Sequence, residues 1–111
     1  MSADDDLVRR VIGGDPAAAA SITARANLND DAVAMVMAAL LERGTGRLDR
    51  ALTVAATSRD RQVVEIARAH LTGQIELADA LARDHLADHP DSLIVAWIAG
   101  DTDVRTRSDG C

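Results

Sequence analysis

Aromatic residues are almost absent from this chain of 111 residues: it has no phenylalanine and no tyrosine, and Trp97 is its only tryptophan. Lysine is absent too, so all 12 basic residues are arginines. Alanine fills 22 positions. Small side chains let helices approach closely, but each buries little area and so stabilises little. We therefore expect a modest stability margin, which a partner or a second copy covering an apolar face would increase.

Cysteine use and charge exclude several classes of protein. Cys111 is the only cysteine, so no intramolecular disulfide can form, which suits a reducing cytoplasm. No stretch reaches the ~18 apolar residues of a membrane helix, and the acidic start Asp4-Asp5-Asp6 lacks the features of a signal peptide. A net charge of −6 argues against binding to nucleic acids or anionic membranes. We expect an acidic, cytoplasmic and, from its arginine- and alanine-rich composition, bacterial protein.

Apolar residues recur every three or four positions along most of the chain, and no useful stretch alternates with a period of two. This predicts an all-α fold of six or seven short helices, with one domain at residues 1–100 and a polar, flexible C-terminal tail at 101–111. Because the loops are short, neighbouring helices should pack as antiparallel αα-hairpins. We predict that Asp15 caps the start of helix 2 and Asn29 that of helix 3. Either Ser58 or Asp60 caps helix 5, and either Asp91 or Ser92 caps helix 7.

The predicted helices differ in how much of their surface is apolar. Helix 5 is apolar on two sides, so we expect it to be the central helix. Helix 3 has a single stripe: Val33, Val36, Met37, Leu40 and Leu41. The predicted inner face of helix 6 holds Ile75, Ala78, Leu81, Ala82, His85 and Leu86, and on its surface Asp79 can pair with Arg83.

Three glycines stand 27 residues apart, at Gly46, Gly73 and Gly100. An alanine follows five residues after the first two, at Ala51 and Ala78. Regular spacing of this order is typical of helical-hairpin repeats, in which one glycine per unit turns the chain from its first helix into its second.

The segment from Gln62 to Pro90 resembles a tetratricopeptide repeat. Gly73, Ala78 and Pro90 hold the places of that family's turn glycine, helix-contact alanine and closing proline. The resemblance implies a stacked array of hairpins that binds proteins. The family period is about 34 residues, longer than the spacing here, and its carboxylate-clamping lysines have no counterpart. Generic αα-hairpins with a glycine at each turn are the alternative.

The histidines offer little basis for catalysis. His85 and His89 lie at the i,i+4 spacing at which two imidazoles can hold one metal, but a site needs a third ligand. We favour a core position for His85 and a helix-end position for His89. Cys111 lies in a polar tail without a base to activate it, and no set of nucleophile, base and acid can be assembled. We therefore predict a protein that is not an enzyme and has no cofactor and no metal.

The function predicted from these features is protein–protein interaction, as an adaptor, chaperone or regulatory subunit. A partner segment would lie against the inner faces of helices 3 and 5. The residues expected to contact it are Met35, Arg43, Arg61, Glu65, Arg68 and Trp97. Arg59, Arg61 and Arg68 form a basic group that either meets an acidic partner or is simply a solvated helix face.

The alternative is a self-assembling structural or accessory subunit that uses helix 7. The segment Leu93-Ile94-Val95-Ala96-Trp97-Ile98-Ala99 has almost no polar side, and Val95, Ala96 and Ala99 are expected to point outward. Such a helix should pack on both sides, either against earlier helices or across a homodimer. Trp97 distinguishes the two cases.

Overall fold

Residues 5–100 of the protein are described by a computed structural model, and they form seven helices without a strand. The bounds are α1 Asp5–Ile12, α2 Pro16–Leu28, α3 Ala32–Glu42, α4 Leu48–Val54, α5 Ser58–Leu71, α6 Ile75–Asp88 and α7 at residues 93–100. The predicted all-α fold is confirmed for this part of the chain. The predicted tail at 101–111, with Cys111, lies outside it. None of the seven helices is long and apolar enough to cross a membrane.

Side-chain caps fix where three helices begin. The Asp15 carboxylate accepts the Ala17 and Ala18 N–H groups and Pro16 opens α2, as predicted. The caps of α3 and α5 differ from the prediction by one to three residues. Asp31, not Asn29, caps α3, and Thr57, not Ser58 or Asp60, caps α5. Asn29 is used differently: its N–H donates to the Arg25 carbonyl and closes the end of α2.

Replacing Asp31 by alanine should lower the free energy of unfolding by about 0.5–2 kcal/mol, the usual loss for a helix cap. Its carboxylate accepts the Ala34 N–H at 3.1 Å and is buried, so no water replaces it fully. Asn29→Ala is the matched control, because the exposed Asn29 side chain caps nothing. Urea denaturation measures both, and an equal loss in the two variants would restore Asn29 as the cap.

The left-handed residues at helix ends do not follow the 27-residue glycine spacing. They are Gly14 after α1, Arg43 after α3 and Gly73 after α5. Their separations are 29 and 30 residues. Gly46 lies in the α3–α4 turn without a left-handed conformation, and Gly100 is still helical, so the prediction that each glycine of the series makes an equivalent turn is wrong.

The helix most enclosed by the fold is α3. It packs against α2, α4 and α5, and every residue from 34 to 40 is buried. The sequence predicted this central place for α5 and only a stripe for α3. The difference arises from Ala34, Ala38 and Ala39. Their small side chains let neighbouring helices pack closely against sides of α3 that carry no large apolar residue in the sequence pattern. Leu41, predicted to face inward, is 39% exposed.

Helices α5 and α6 run antiparallel, because Gln62 near the start of α5 meets His85 near the end of α6. The inner face of α6 was predicted correctly: Ala78, Ala82 and His85 are buried, and Ile75, Leu81 and Leu86 are partly buried. The Asp79–Arg83 ion pair is also present, at 2.7 Å. Pro90 follows the end of α6, as expected.

The apolar side of α7 is covered by the same chain. Ile94, Val95 and Ile98 are buried in the core, and Trp97 packs partly buried against it. The prediction that Val95 points outward is wrong, whereas Ala96 is exposed and Ala99 is partly exposed. Of the two burial modes expected for α7, packing against earlier helices is therefore the one observed within the chain.

Candidate functional site

The starts of α3, α5 and α7 form a groove of about 390 Å³, and α1 forms one of its walls. We name it the valine groove. Its residues are Val8, Val33, Thr57, Arg59, Asp60, Val63, Asp91, Ser92, Leu93 and Ile94. The floor is aliphatic, since Val8, Val63 and Ile94 belong to the buried core and Val33 and Leu93 pack beside it. The other five lining residues are polar or charged, and binding clefts usually combine apolar side chains with such groups.

Charged residues surround this floor. Arg59 Nη2 lies 3.3 Å from Asp91 Oδ1, and both side chains are well exposed, so the pair adds little stability and opens readily. Asp60 lies one residue further along α5, and its N–H donates a hydrogen bond to the Thr57 hydroxyl. One arginine and two aspartates leave the rim with a formal charge of −1.

A second cleft, of about 320 Å³, lies between α5 and α6. Its apolar part comes from Ile66 and Leu81. The charged residues around it are Arg61, Glu65, Asp84 and Asp88. We refer to it as the α5–α6 cleft.

His85 and Ser92 stand between the two clefts. His85 lines the α5–α6 cleft and Ser92 lines the valine groove, and both are buried. His85 Nδ1 lies 2.7 Å from Gln62 Oε1, an acceptor, so Nδ1 carries the proton and donates it. In the neutral ring Nε2 is then an acceptor, and the Ser92 hydroxyl donates to it at 3.2 Å. One imidazole thus joins α5, α6 and the start of α7, which confirms the predicted core histidine.

Burial lowers the pKa of His85 below its ordinary value, since a charged imidazole would lose its hydration there. The positive charges of His89 and Arg59 lower this pKa further, while Asp88 and Asp91 oppose them weakly. The His85 and His89 rings lie 4.8 Å apart between centroids. The lowered pKa keeps His85 mainly neutral at pH 7, and its two hydrogen bonds are compatible with the neutral ring.

The order Ser92, His85, Gln62 resembles nucleophile, base and orienting group. Two features argue against a hydrolytic site. Ser92 is only 3% exposed, and Gln62 carries no charge to stabilise a protonated imidazole. For metal binding, both His85 nitrogens are already hydrogen-bonded, and residues 5–100 contain no group of three or more His, Cys, Asp or Glu side chains placed to hold an ion.

The six residues predicted to contact a partner do not form one surface. Met35 is 1% exposed and lies in the core, so its predicted place in a partner-binding surface is wrong. Arg61 and Glu65 are together in the α5–α6 cleft. Arg43 and Trp97 meet at a small pocket beside the ends of α3 and α5. Arg68 faces α4 instead, where its guanidinium binds the Asp49 carboxylate at 2.8 Å.

Two ion pairs also divide the predicted basic group of α5. Arg59 pairs with Asp91, and Arg68 pairs with Asp49. Within the described residues, Arg61 alone of the three remains an exposed arginine without an ion pair, as expected of the group. Val63, Asp91 and Leu93 were not predicted from the sequence as groove residues. They come from separate helices and a loop, and only the hydrophobic periodicity of α5 and α7 pointed toward them.

Comparison of the chain with protein-family models, with curated proteins and with solved structures found no match.

Proposed function

We propose that this protein is a non-catalytic protein–protein interaction module that binds a partner segment in the valine groove. The observation that carries the proposal is the groove itself, an aliphatic floor built from four helices with a charged rim. Short peptide segments bind such surfaces by placing apolar anchors in the floor and polar groups at the edge. The adaptor, chaperone and regulatory-subunit roles all use this mode of binding.

The chemistry of the groove specifies the partner segment. A floor of valine, leucine and isoleucine side chains suits aliphatic anchors. The rim is slightly acidic, Asp91 is well exposed, and the whole chain carries a charge of −6. A basic residue beside the anchor would therefore gain from the local field and from attraction during encounter. The proposed partner presents one or two aliphatic side chains next to an arginine or lysine.

A tetratricopeptide-like array is the arrangement we propose for the helices. It is supported by the recurrence of left-handed residues at Gly14, Arg43 and Gly73 after alternate helices. Burial of Ala78 and the place of Pro90 after α6 agree with the same pattern. In such arrays the first helices of successive hairpins line the binding face, and α1, α3, α5 and α7 line the valine groove.

Self-assembly through α7 is the weaker proposal. Ile94, Val95 and Ile98 are buried in the core of the chain, and Ala96 is the only residue of 93–98 that is exposed. Less apolar surface is available for a second copy than the sequence predicted.

A displayed peptide library selected against the full chain tests the proposed function. We expect aliphatic–basic sequences to be enriched and to bind the wild type. Leu93→Arg should weaken this binding by about tenfold or more, equivalent to ~1.4 kcal/mol, because it places a charge at the apolar edge of the groove. Titration calorimetry measures the affinity.

Leu77→Arg is the matched control, because Leu77 is 46% exposed on α6 and lies outside the groove. Circular dichroism melting checks that both variants fold. Failure to enrich any peptide, or equal weakening by both substitutions, would count against binding in the valine groove.

A further inference from the structure

The His85 side chain bonds both to the α5–α6 hairpin and to the turn that begins α7. Its two ring nitrogens contact Gln62 of α5 and Ser92, the residue just before α7. The Ser92 N–H also donates to the His89 carbonyl at 3.1 Å, and the Ser92 carbonyl accepts the first helical bond of α7, from Ala96. The protonation state of His85 can therefore affect the first turn of α7 through Ser92.

The charged groups around His85 come from α5, α6 and the α6–α7 turn. Those that act on it directly are His89, Arg59, Asp88 and Asp91. Arg61 and Glu65 of α5 and Asp84 of α6 line the same cleft. Residues 93–100 of α7 contain no charged side chain. Arg59 is already paired with Asp91, so this carboxylate is shared and offers limited compensation to a new positive charge.

The surroundings of His85 therefore disfavour its protonation. The ring is 2% exposed, so a charged imidazole would lose its hydration, and the His89 ring lies beside it. The pKa of docked His85 is below the ordinary value of about 6.5. An opened state with a hydrated ring binds a proton more readily. Docking of neutral His85 contributes its full stabilisation above pH ~6.5, and this is lost as the pH falls through the pKa of the docked ring.

We infer that His85 is a proton-sensitive fastener of the α6–α7 turn: the neutral imidazole holds the start of α7 against the α5–α6 hairpin, and acidification releases it. Ser92, Leu93 and Ile94 line the valine groove, so release of this turn changes the groove's wall. The inference concerns the conformation of the chain and holds whether or not the groove binds a protein.

Amide hydrogen exchange on the full chain, followed by NMR between pH 8 and pH 5, tests the fastener. The Ala96 amide reports on the first turn of α7, because it donates to the Ser92 carbonyl at 3.1 Å. Met35 donates to Asp31 in the same way at the start of α3 and is the internal control. After correction for intrinsic exchange, Ala96 protection relative to Met35 should fall about tenfold per pH unit between pH 6.5 and the midpoint of His85.

Three substitutions separate the fastener from general acid destabilisation. His85→Gln should abolish the extra pH response of Ala96. His70→Gln, which alters a buried histidine that lines a pocket with Trp97 and Ile98 further along α7, should leave the response of Ala96 intact. His89→Gln removes a neighbouring positive charge and so should raise the pKa of His85. The pH range over which Ala96 loses protection should therefore become narrower. This variant also serves if His85→Gln does not fold.

Equal loss of protection at Ala96 and Met35 in the wild type would mean that acid unfolds the whole domain, and would overturn the inference. An unchanged response in His89→Gln, or a response that survives in folded His85→Gln, would overturn it as well.

Discussion

Replacing Met37 by alanine is expected to lower the free energy of unfolding by about 2–5 kcal/mol, the usual cost of a large-to-small change in a core. Met37 is fully buried in α3, the helix enclosed by α2, α4 and α5. With no phenylalanine or tyrosine in the chain, few large side chains exist to relax into the cavity. Urea denaturation gives the loss directly, and each kcal/mol should lower Tm by roughly 4–8 °C in a domain near this size.

Leu41→Ala is the matched control on the same helix, one turn further on. The sequence pattern placed Leu41 and Met37 on one apolar stripe, whereas the structure leaves Leu41 39% exposed. We expect Leu41→Ala to cost well under half as much as Met37→Ala. Equal losses of stability in the two variants would show that Leu41 is as buried as Met37, as the apolar stripe in the sequence predicted.

Enlarging Ala78 to leucine is the second substitution with a large expected effect. Ala78 is 1% exposed in the first turns of α6, the helix that packs along α5. Three added carbon atoms overfill the contact, which should cost about 1–3 kcal/mol. The measurement is the shift in the urea midpoint.

Ala80→Leu provides the comparison, two residues along the same helix and exposed to solvent. It should leave the midpoint almost unchanged, since the position is exposed to solvent. If both leucine variants melted at the same temperature, the face of α6 assigned to the α5 contact would be wrong.

Sequence periodicity was a good guide to the helices and a poorer one to their ends. Helix α1 shows why periodicity is a good guide: Leu7, Val8 and Val11 share one apolar face, and the helix ends before a pair of glycines. The cap of α3 was misplaced because Asn29, Asp30 and Asp31 are all good capping residues. Which of them caps depends on where α2 stops, and Asn29 is used by α2.

The central place of α3 was hidden by its alanines. Hydrophobic patterns weight large side chains, so Ala34, Ala38 and Ala39 did not count as core residues. In a chain without phenylalanine or tyrosine they do count, because the close approach that they allow makes up for the missing rings. The same effect explains Met35, which looked like an exposed residue beside the stripe and is buried.

The valine groove combines residues that are far apart in the sequence. Val8 and Ile94 lie on the first and last described helices, and Arg59 meets Asp91 across 32 positions. Periodicity assigns each residue to a face of its own helix but does not say which faces meet. Three of the six predicted binding residues, Arg61, Glu65 and Arg68, were charged residues along α5, whereas the groove lies at the start of this helix.

Chemical-shift mapping of a selected peptide on the ¹⁵N- and ¹³C-labelled full chain tests binding in the valine groove most directly. We predict that the largest shifts fall on Val8, Val33, Val63, Leu93 and Ile94, with smaller shifts at the rim. Leu77 and Arg83 on the outer side of α6 should not respond. Shifts centred on α6, or shifts confined to charged residues with the valine methyl groups unmoved, would contradict binding in the groove.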